Sequence, residues 1–191
     1  MNPGQTFNFL PVPTDIHFGY GVLNTLPERL RALGATKPFL VTDPGLRAAG
    51  IVDRVKAFAV FDRVKPDSGS TLIDEAASQV RACGADAVVG IGGGSSLDTA
   101  KAVAAMATNA GSILDYAGLH KIVNRPLPMV AIPTTAGTGS EVTLWSVFTD
   151  EGKKIKSAAG SILLYPSVAL CDPELTLDLP PALTASTGMD A

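Results

Sequence analysis

The chain is 191 residues long, with 46% hydrophobic and 17% charged residues and a formal net charge of -3 at pH 7. This balance excludes intrinsic disorder, which needs low hydrophobicity and high net charge, and it gives no electrostatic case for a nucleic acid or an anionic membrane as partner. Cys83 and Cys171 form no CxxC pair or disulfide framework, the first residues show no basic and apolar leader, and no apolar run nears the roughly 18 residues of a membrane helix, so a cytoplasmic protein is expected.

The first element in chain order is a helix over Val22 to Leu33, with Leu23, Leu26, Leu30 and Leu33 at helical spacing and Gly34 placed to end it. Pro38 to Thr42 reads as a buried strand, followed by the turn Asp43-Pro44-Gly45, and Phe58 to Phe61 reads as another strand. Thr71 to Cys83 puts Ile73, Ala76, Ala77 and Val80 on one helical face, with Ser70 or Thr71 as cap and Gly84 as stop. Ala87 to Ile91 is a strand that runs into Gly92-Gly93-Gly94 and then into an alanine-rich helix over Ser95 to Thr108, where Ser95 and Asp98 have capping-box spacing. Met129 to Ile132 and Val168 to Leu170 are further strands. Val142 to Ala159 alternates around Asp150-Glu151-Gly152 as a hairpin, and Pro180-Pro181 opens a last helical pattern. The strands are continuously apolar rather than alternating, as a sheet covered on both faces requires, and their alternation with helices predicts an α/β fold with a mostly parallel sheet and flanking helices.

Two stretches carry chemistry. In Gly90-Ile91-Gly92-Gly93-Gly94-Ser95-Ser96 the glycines remove side-chain bulk where a helix begins, so a phosphate can approach the exposed N–H groups with the helix dipole behind them. A tight strand-to-helix turn without a ligand is the alternative. The stretch is not the GxGxxG fingerprint, since Ser95 replaces the third glycine, nor a P-loop or a nucleophile elbow. In Pro133-Thr134-Thr135-Ala136-Gly137-Thr138-Gly139-Ser140-Glu141 a strand ends in hydroxyls and glycines that offer hydrogen bonds to a polar ligand, or else form an ordinary capped loop. Asp43, at a strand end, suits ribose hydroxyls and would repel a 2′-phosphate, yet an Asp-Pro-Gly turn explains it equally. His17 and His120 lack ligand-like spacing, and Lys153, Lys154 and Lys156 read as a solvated face.

Taken together, Gly90–Lys101, Ile132–Thr143, Asp172–Pro181 and Thr187–Ala191 resemble the N-terminal part of the iron-containing (group III) alcohol dehydrogenases, in the family's order and near its spacing. The resemblance implies a Rossmann-like nucleotide-binding domain over 1–178 and, over 179–191, the first turns of an all-helical metal-binding domain. It places Asp43 near the adenosine ribose, Gly94 and Ser95 at the diphosphate, Thr134, Thr135 and Thr138 along the cofactor, and Lys156 toward its ribose or phosphate. Gly92, Gly93, Asp98 and Gly137 belong to the same matching motifs. Asp67 stands at an adenosine-side contact where many relatives carry Asn followed by Pro, and Trp145 stands where some carry a smaller residue near the nicotinamide. The stretch from Asp43 to Phe61 is shorter than the family's, which implies a reduced first crossover helix.

Asp190 matches the family's first metal ligand. The implied activity is hydride transfer between NAD (rather than NADP) and a small alcohol or carbonyl substrate, assisted by Fe²⁺ or Zn²⁺, in a homo-oligomer. With one carboxylate of a four-ligand site, the 191-residue chain alone is expected to be inactive, and apolar surface is expected around Leu179, Leu183 and Met189. Two other readings are an enzyme of the glycerol dehydrogenase and dehydroquinate synthase branch, and a non-catalytic nucleotide-binding or dimerising module.

Overall fold

The structure, a computed structural model, describes residues 12–189. In chain order the strands are β1 (Asp15–Phe18), β2 (Pro38–Val41), β3 (Ala59–Phe61), β4 (Ala87–Gly92), β5 (Gly118–Leu119), β6 (Met129–Pro133), β7 (Trp145–Asp150), β8 (Ile155–Gly160) and β9 (Val168–Cys171). The α-helices are α1 (Leu26–Ala32), α2 (Pro44–Ala48), α3 (Ser70–Cys83), α4 (Gly94–Met106) and α5 (Pro181–Gly188). Six strands form one parallel sheet in the order β1-β9-β6-β4-β2-β3, and β5, β8 and β7 form a small second sheet. This is the mostly parallel α/β arrangement that the alternating strand and helix patterns predict, and the Rossmann-like one that the resemblance implies.

The strands are apolar throughout because both faces are covered. Phe39, Val41, Val88, Met129 and Ala131 pack with Ile73 and Val80 of α3 and Leu97 and Val103 of α4. Leu40, Val89, Ile91, Val130 and Ile132 point the other way, against Leu26 and Leu30 of α1. Period-two alternation therefore persists, but between two cores rather than between core and water. At Gly90, where α4 crosses β4, an added Cβ would stand 2.7 Å from the Ala100 Cβ and 2.9 Å from the Met129 Cε.

Several local expectations shift. The helix expected over Val22 to Leu33 is a 3-10 turn over Val22–Thr25 followed by α1, because Pro27 in the first turn has no N–H to continue an earlier α-helix. Helix α2 has five residues, the short first crossover implied by the spacing from Asp43 to Phe61. Strand β1, an edge strand paired only with β9, was not anticipated: its Asp-Ile-His-Phe run alternates and leaves Ile16 and Phe18 exposed. Helix α5 has no buried residue; Leu183 and Met189 are exposed, as expected, and Leu179 is half-buried. No described helix is long and apolar enough to cross a membrane.

Away from the carboxyl edge, Asp86 ties the start of β2 to β4. It accepts from the Thr36 N–H and hydroxyl, each at 2.8 Å, and from the Lys37 N–H at 2.7 Å. Burial pushes its pKa upward, but these hydrogen bonds together carry it below the ordinary carboxylate value.

Two outcomes are expected. Gly90→Val destabilises the chain by about 1–3 kcal/mol in urea unfolding, through overpacking at the α4–β4 crossing. Because Asp86 is held below its unfolded pKa, its contribution is fully present above the unfolded value and is lost as pH falls through the folded one. Asp86→Asn should therefore flatten the acid side of the unfolding-midpoint profile relative to wild type.

Candidate functional site

The sheet reverses its direction of growth around β2, which has β3 on one side and β4 on the other. In open α/β sheets the crevice outside the carboxyl ends of the strands at such a reversal is where ligands bind. Here the residues beyond β2, β4 and β6 are Asp43, the Gly92–Gly94 turn and the Thr134–Thr138 loop.

The Asp43 Oδ1 accepts from the Leu46 N–H at 3.0 Å and so caps α2, while Oδ2 accepts from the Ser96 hydroxyl at 3.4 Å. It thus shapes the Asp-Pro-Gly turn and lies beside the glycine turn, with Oδ2 3.3 Å from where a Cβ on Gly92 would stand. Gly92 ends β4 at φ 145, a backbone angle that side-chain-bearing residues rarely adopt, and its carbonyl accepts from the Thr134 N–H at 3.0 Å. Register places Gly92 opposite Pro133. The next residues of the two turns are consequently face to face. A Cβ on Gly93 would lie 3.4 Å from Thr135 Cγ2, and one on Gly94 would lie 3.2 Å from Thr138 Cγ2.

Two features of this pairing mark it as unfinished. Helix α4 starts at Gly94 with no side-chain cap on its first N–H groups, so the Ser95–Asp98 capping box is not formed. The Thr135 and Thr138 hydroxyls are buried without a hydrogen-bond partner. Uncapped donors at a helix start, beside buried hydroxyls that lack partners, suit an oxyanion-rich ligand.

Gly94, Ser95 and Thr138 open onto a cleft of about 340 Å³ whose other lining residues are Asp67, Asp98, Val147, Phe148, Thr149 and Lys156. Its far wall is the β7–β8 hairpin. The hairpin is fastened to the segment before α3 and to the helix's first turn by three hydrogen bonds: Thr149 N–H to the Ser68 carbonyl at 2.9 Å, Thr149 hydroxyl to the Asp67 carbonyl at 3.0 Å, and Thr71 N–H to Glu151 Oε2 at 3.0 Å. The cap expected from Ser70 or Thr71 is not formed; the Glu151 carboxylate accepts from the first turn of α3 instead. Lys156 reaches Asp67 at 2.8 Å, so the outermost of the basic run faces a carboxylate at the cleft mouth. Trp145 lies over Gly160 on the hairpin. Gly137 sits away from the cleft, its α-carbon so close to α5 that a Cβ would collide with the Thr187 carbonyl.

Lys101 escaped the sequence reading. Its side chain is 0% exposed, and its ammonium lies 3.2 Å from Asp98 Oδ1 and donates to the Thr143 hydroxyl at 3.1 Å and to the Thr143 and Trp145 carbonyls. Asp98 also accepts from the Ser140 hydroxyl and, at 3.0 Å, from the Val147 N–H. Burial pushes the Lys101 pKa below the ordinary lysine value, and the Asp98 carboxylate opposes that shift. The one available signal was that Asp98 and Lys101 are the only charges in the otherwise neutral stretch 94–106. Among the described residues no group of three or more His, Cys, Asp or Glu side chains could hold a metal ion. Asp190 lies outside the described residues.

Comparison with known proteins gives these features a context. The family model described as iron-containing alcohol dehydrogenase matches residues 13–173. A choline dehydrogenase of Bacillus subtilis (strain 168) is 41% identical, over 98% of this chain and 49% of its own length. The crystal structure of a 1,3-propanediol oxidoreductase superposes with a TM-score of 0.92 at 38% identity, over 97% of this chain and 50% of that one. That of a sulfoacetaldehyde reductase from Bifidobacterium kashiwanohense in complex with NAD+ gives 0.90 at 37% identity, over 98% and 51%. The chain spans about half the length of the curated relatives it matches.

The Lys156–Asp67 pair is exposed on both sides, and such pairs contribute little to folding. Lys156→Gln is expected to change stability by less than about 1 kcal/mol in urea unfolding, so that any effect on ligand binding reflects the cleft rather than the fold.

Proposed function

The chain belongs to the iron-containing alcohol dehydrogenase family, and we propose that residues 1–178 are the nicotinamide-cofactor half of an alcohol dehydrogenase, with 179–191 beginning a helical metal-binding part. The observation that carries this reading is the apposition of the uncapped start of α4 to the partnerless Thr135 and Thr138 hydroxyls, with Gly94, Ser95 and Thr138 on the wall of one cleft.

The residues fit a dinucleotide. Gly93, Gly94 and Ser95 receive its diphosphate on main-chain N–H groups, and Thr134, Thr135 and Thr138 hold it from the neighbouring turn. Asp43 takes the adenosine-side ribose hydroxyls, and Asp67 and Lys156 guard the mouth. NAD supplies the hydride acceptor when bound. The protein's own part is to fix the dinucleotide by its phosphates, to keep the hairpin wall over it, and to refuse a 2′-phosphate through the Asp43 carboxylate. The substrate is a small alcohol or carbonyl compound, as the names of the relatives suggest.

Asp190 is proposed as one ligand of Fe²⁺ or Zn²⁺. The described residues offer no further ligand set, so no step is assigned to the metal. On the same ground the 191-residue chain is expected to bind NAD without oxidising alcohols. A cytoplasmic, homo-oligomeric enzyme remains the setting proposed.

Titration calorimetry of the chain should show NAD+ binding at least about tenfold tighter than NADP+, a difference of about 1.4 kcal/mol. Gly94→Val should abolish binding, since branched methyl groups would fill the space against Thr138. Equal affinity for the two cofactors would refute the role of Asp43, and an unaffected Gly94→Val variant would refute the cradle.

A further inference from the structure

We propose that Lys101 is a buried counter-charge: it neutralises Asp98 from beneath the cleft wall, so that a diphosphate can lie over a surface that carries a carboxylate. This positioning role rests on the cofactor reading above and goes beyond it by assigning a residue that touches no ligand.

The problem that Lys101 solves is visible in the cleft lining. Asp98 is one helical turn beyond Gly94 and Ser95 on α4, and its side chain is 16% exposed on the same cleft. A carboxylate there repels any phosphate held at the helix start. The Ser140 hydroxyl and the Val147 N–H bond to it but carry no net charge. The nearest cation is Lys101, at 3.2 Å and wholly enclosed. Lys156, the cation that lines the cleft itself, is engaged with Asp67. Glu141 is the second carboxylate whose field reaches Lys101.

The cost of enclosing an ammonium is met by main-chain and hydroxyl acceptors. The Thr143 carbonyl and hydroxyl and the Trp145 carbonyl all accept from Nζ besides Asp98. Thr143 lies between the threonine loop and the hairpin, and Trp145 opens β7 of the hairpin itself. Lys101 therefore joins helix α4, which begins at the glycine turn, to the chain that leads from the threonine loop into the cleft's far wall. A buried lysine with this partner set has its charge fixed in place, and it cannot swing out to bind the ligand itself. Its influence on the cleft is exerted through Asp98.

A purely structural brace and a counter-charge predict different signs, which makes the proposal testable on the 191-residue chain. The ligands are NAD+, ADP and adenosine, the last without phosphate, and the variants are Lys101→Met, Asp98→Asn and the double substitution. Circular dichroism and urea midpoints report folding for each. Lys101→Met leaves Asp98 uncompensated. ADP and NAD+ affinity should fall by about tenfold or more, the size expected of one unpaired charge near a phosphate at an effective dielectric of about 20, while adenosine changes by less than about twofold. Raising the salt concentration should recover part of the loss. Asp98→Asn leaves the ammonium uncompensated, so ADP should bind at least as tightly as to wild type. The double variant, neutral on both sides, should return ADP affinity toward wild type. Asp98→Asn keeps the test decisive if Lys101→Met does not fold. The proposal is overturned if Asp98→Asn weakens ADP and adenosine in equal proportion, or if Lys101→Met, once folded, does so. If the wild-type chain binds neither NAD+ nor ADP, the cofactor reading itself fails and this role falls with it; wild-type binding with the wrong signs in the variants removes this role alone.

Discussion

The β4–β6 register is the constraint on which the cleft depends. Parallel pairing of Gly92 with Pro133 brings two chain reversals to the same height at the edge of the sheet. The turn beyond one strand is then obliged to pack against the turn beyond its neighbour. Glycines on one side and threonines on the other are the combination that can pack so tightly and still leave N–H groups and hydroxyls available. A slip of one residue would exchange the faces of every strand residue and bury the turn in the wrong core, so the hydrophobic pattern of the strands also holds the chemistry of the edge in place.

Charge at this edge is organised in pairs. Asp98 meets Lys101 inside the protein, and Asp67 meets Lys156 at its surface. The two pairs differ in kind. The exposed pair is made by two flexible side chains in water and can exchange partners at small cost. The enclosed pair is locked by main-chain carbonyls, and leaving either member alone would be far more costly. The cleft thus combines a fixed electrostatic floor with an adjustable rim.

The sheet was legible because its strands are buried twice over. Runs such as Ala87 to Ile91 have no polar residue that could place them at a surface, and the glycine breaks beyond them mark where the chain leaves the sheet. The glycine turn and the threonine loop were marked by their motifs at strand ends, whereas the apposition of Gly93 and Gly94 with Thr135 and Thr138 follows from the β4–β6 register. Other features could not be read in this way. Strand β1 is polar enough to pass for a loop because it sits at an edge. The capping box at Ser95 failed because Asp98 has stronger partners than its own helix start, and those partners come from residues 140, 147 and 101. Lys101 was hidden for the same reason: its acceptors at Thr143 and Trp145 belong to segments more than forty positions downstream. Local sequence shows where side chains are chemically suited to a task, whereas long-range folding decides which of them are already engaged.

The contact between Glu151 and the Thr71 N–H joins residues 80 positions apart. An isolated helix of the length of α3 is only marginally stable, and its first turn has no side-chain cap of its own. That turn gains the Glu151 acceptor only once the hairpin is in place. During synthesis on the ribosome, this contact must wait for chain that has yet to emerge, the same chain that supplies the crevice with its second wall.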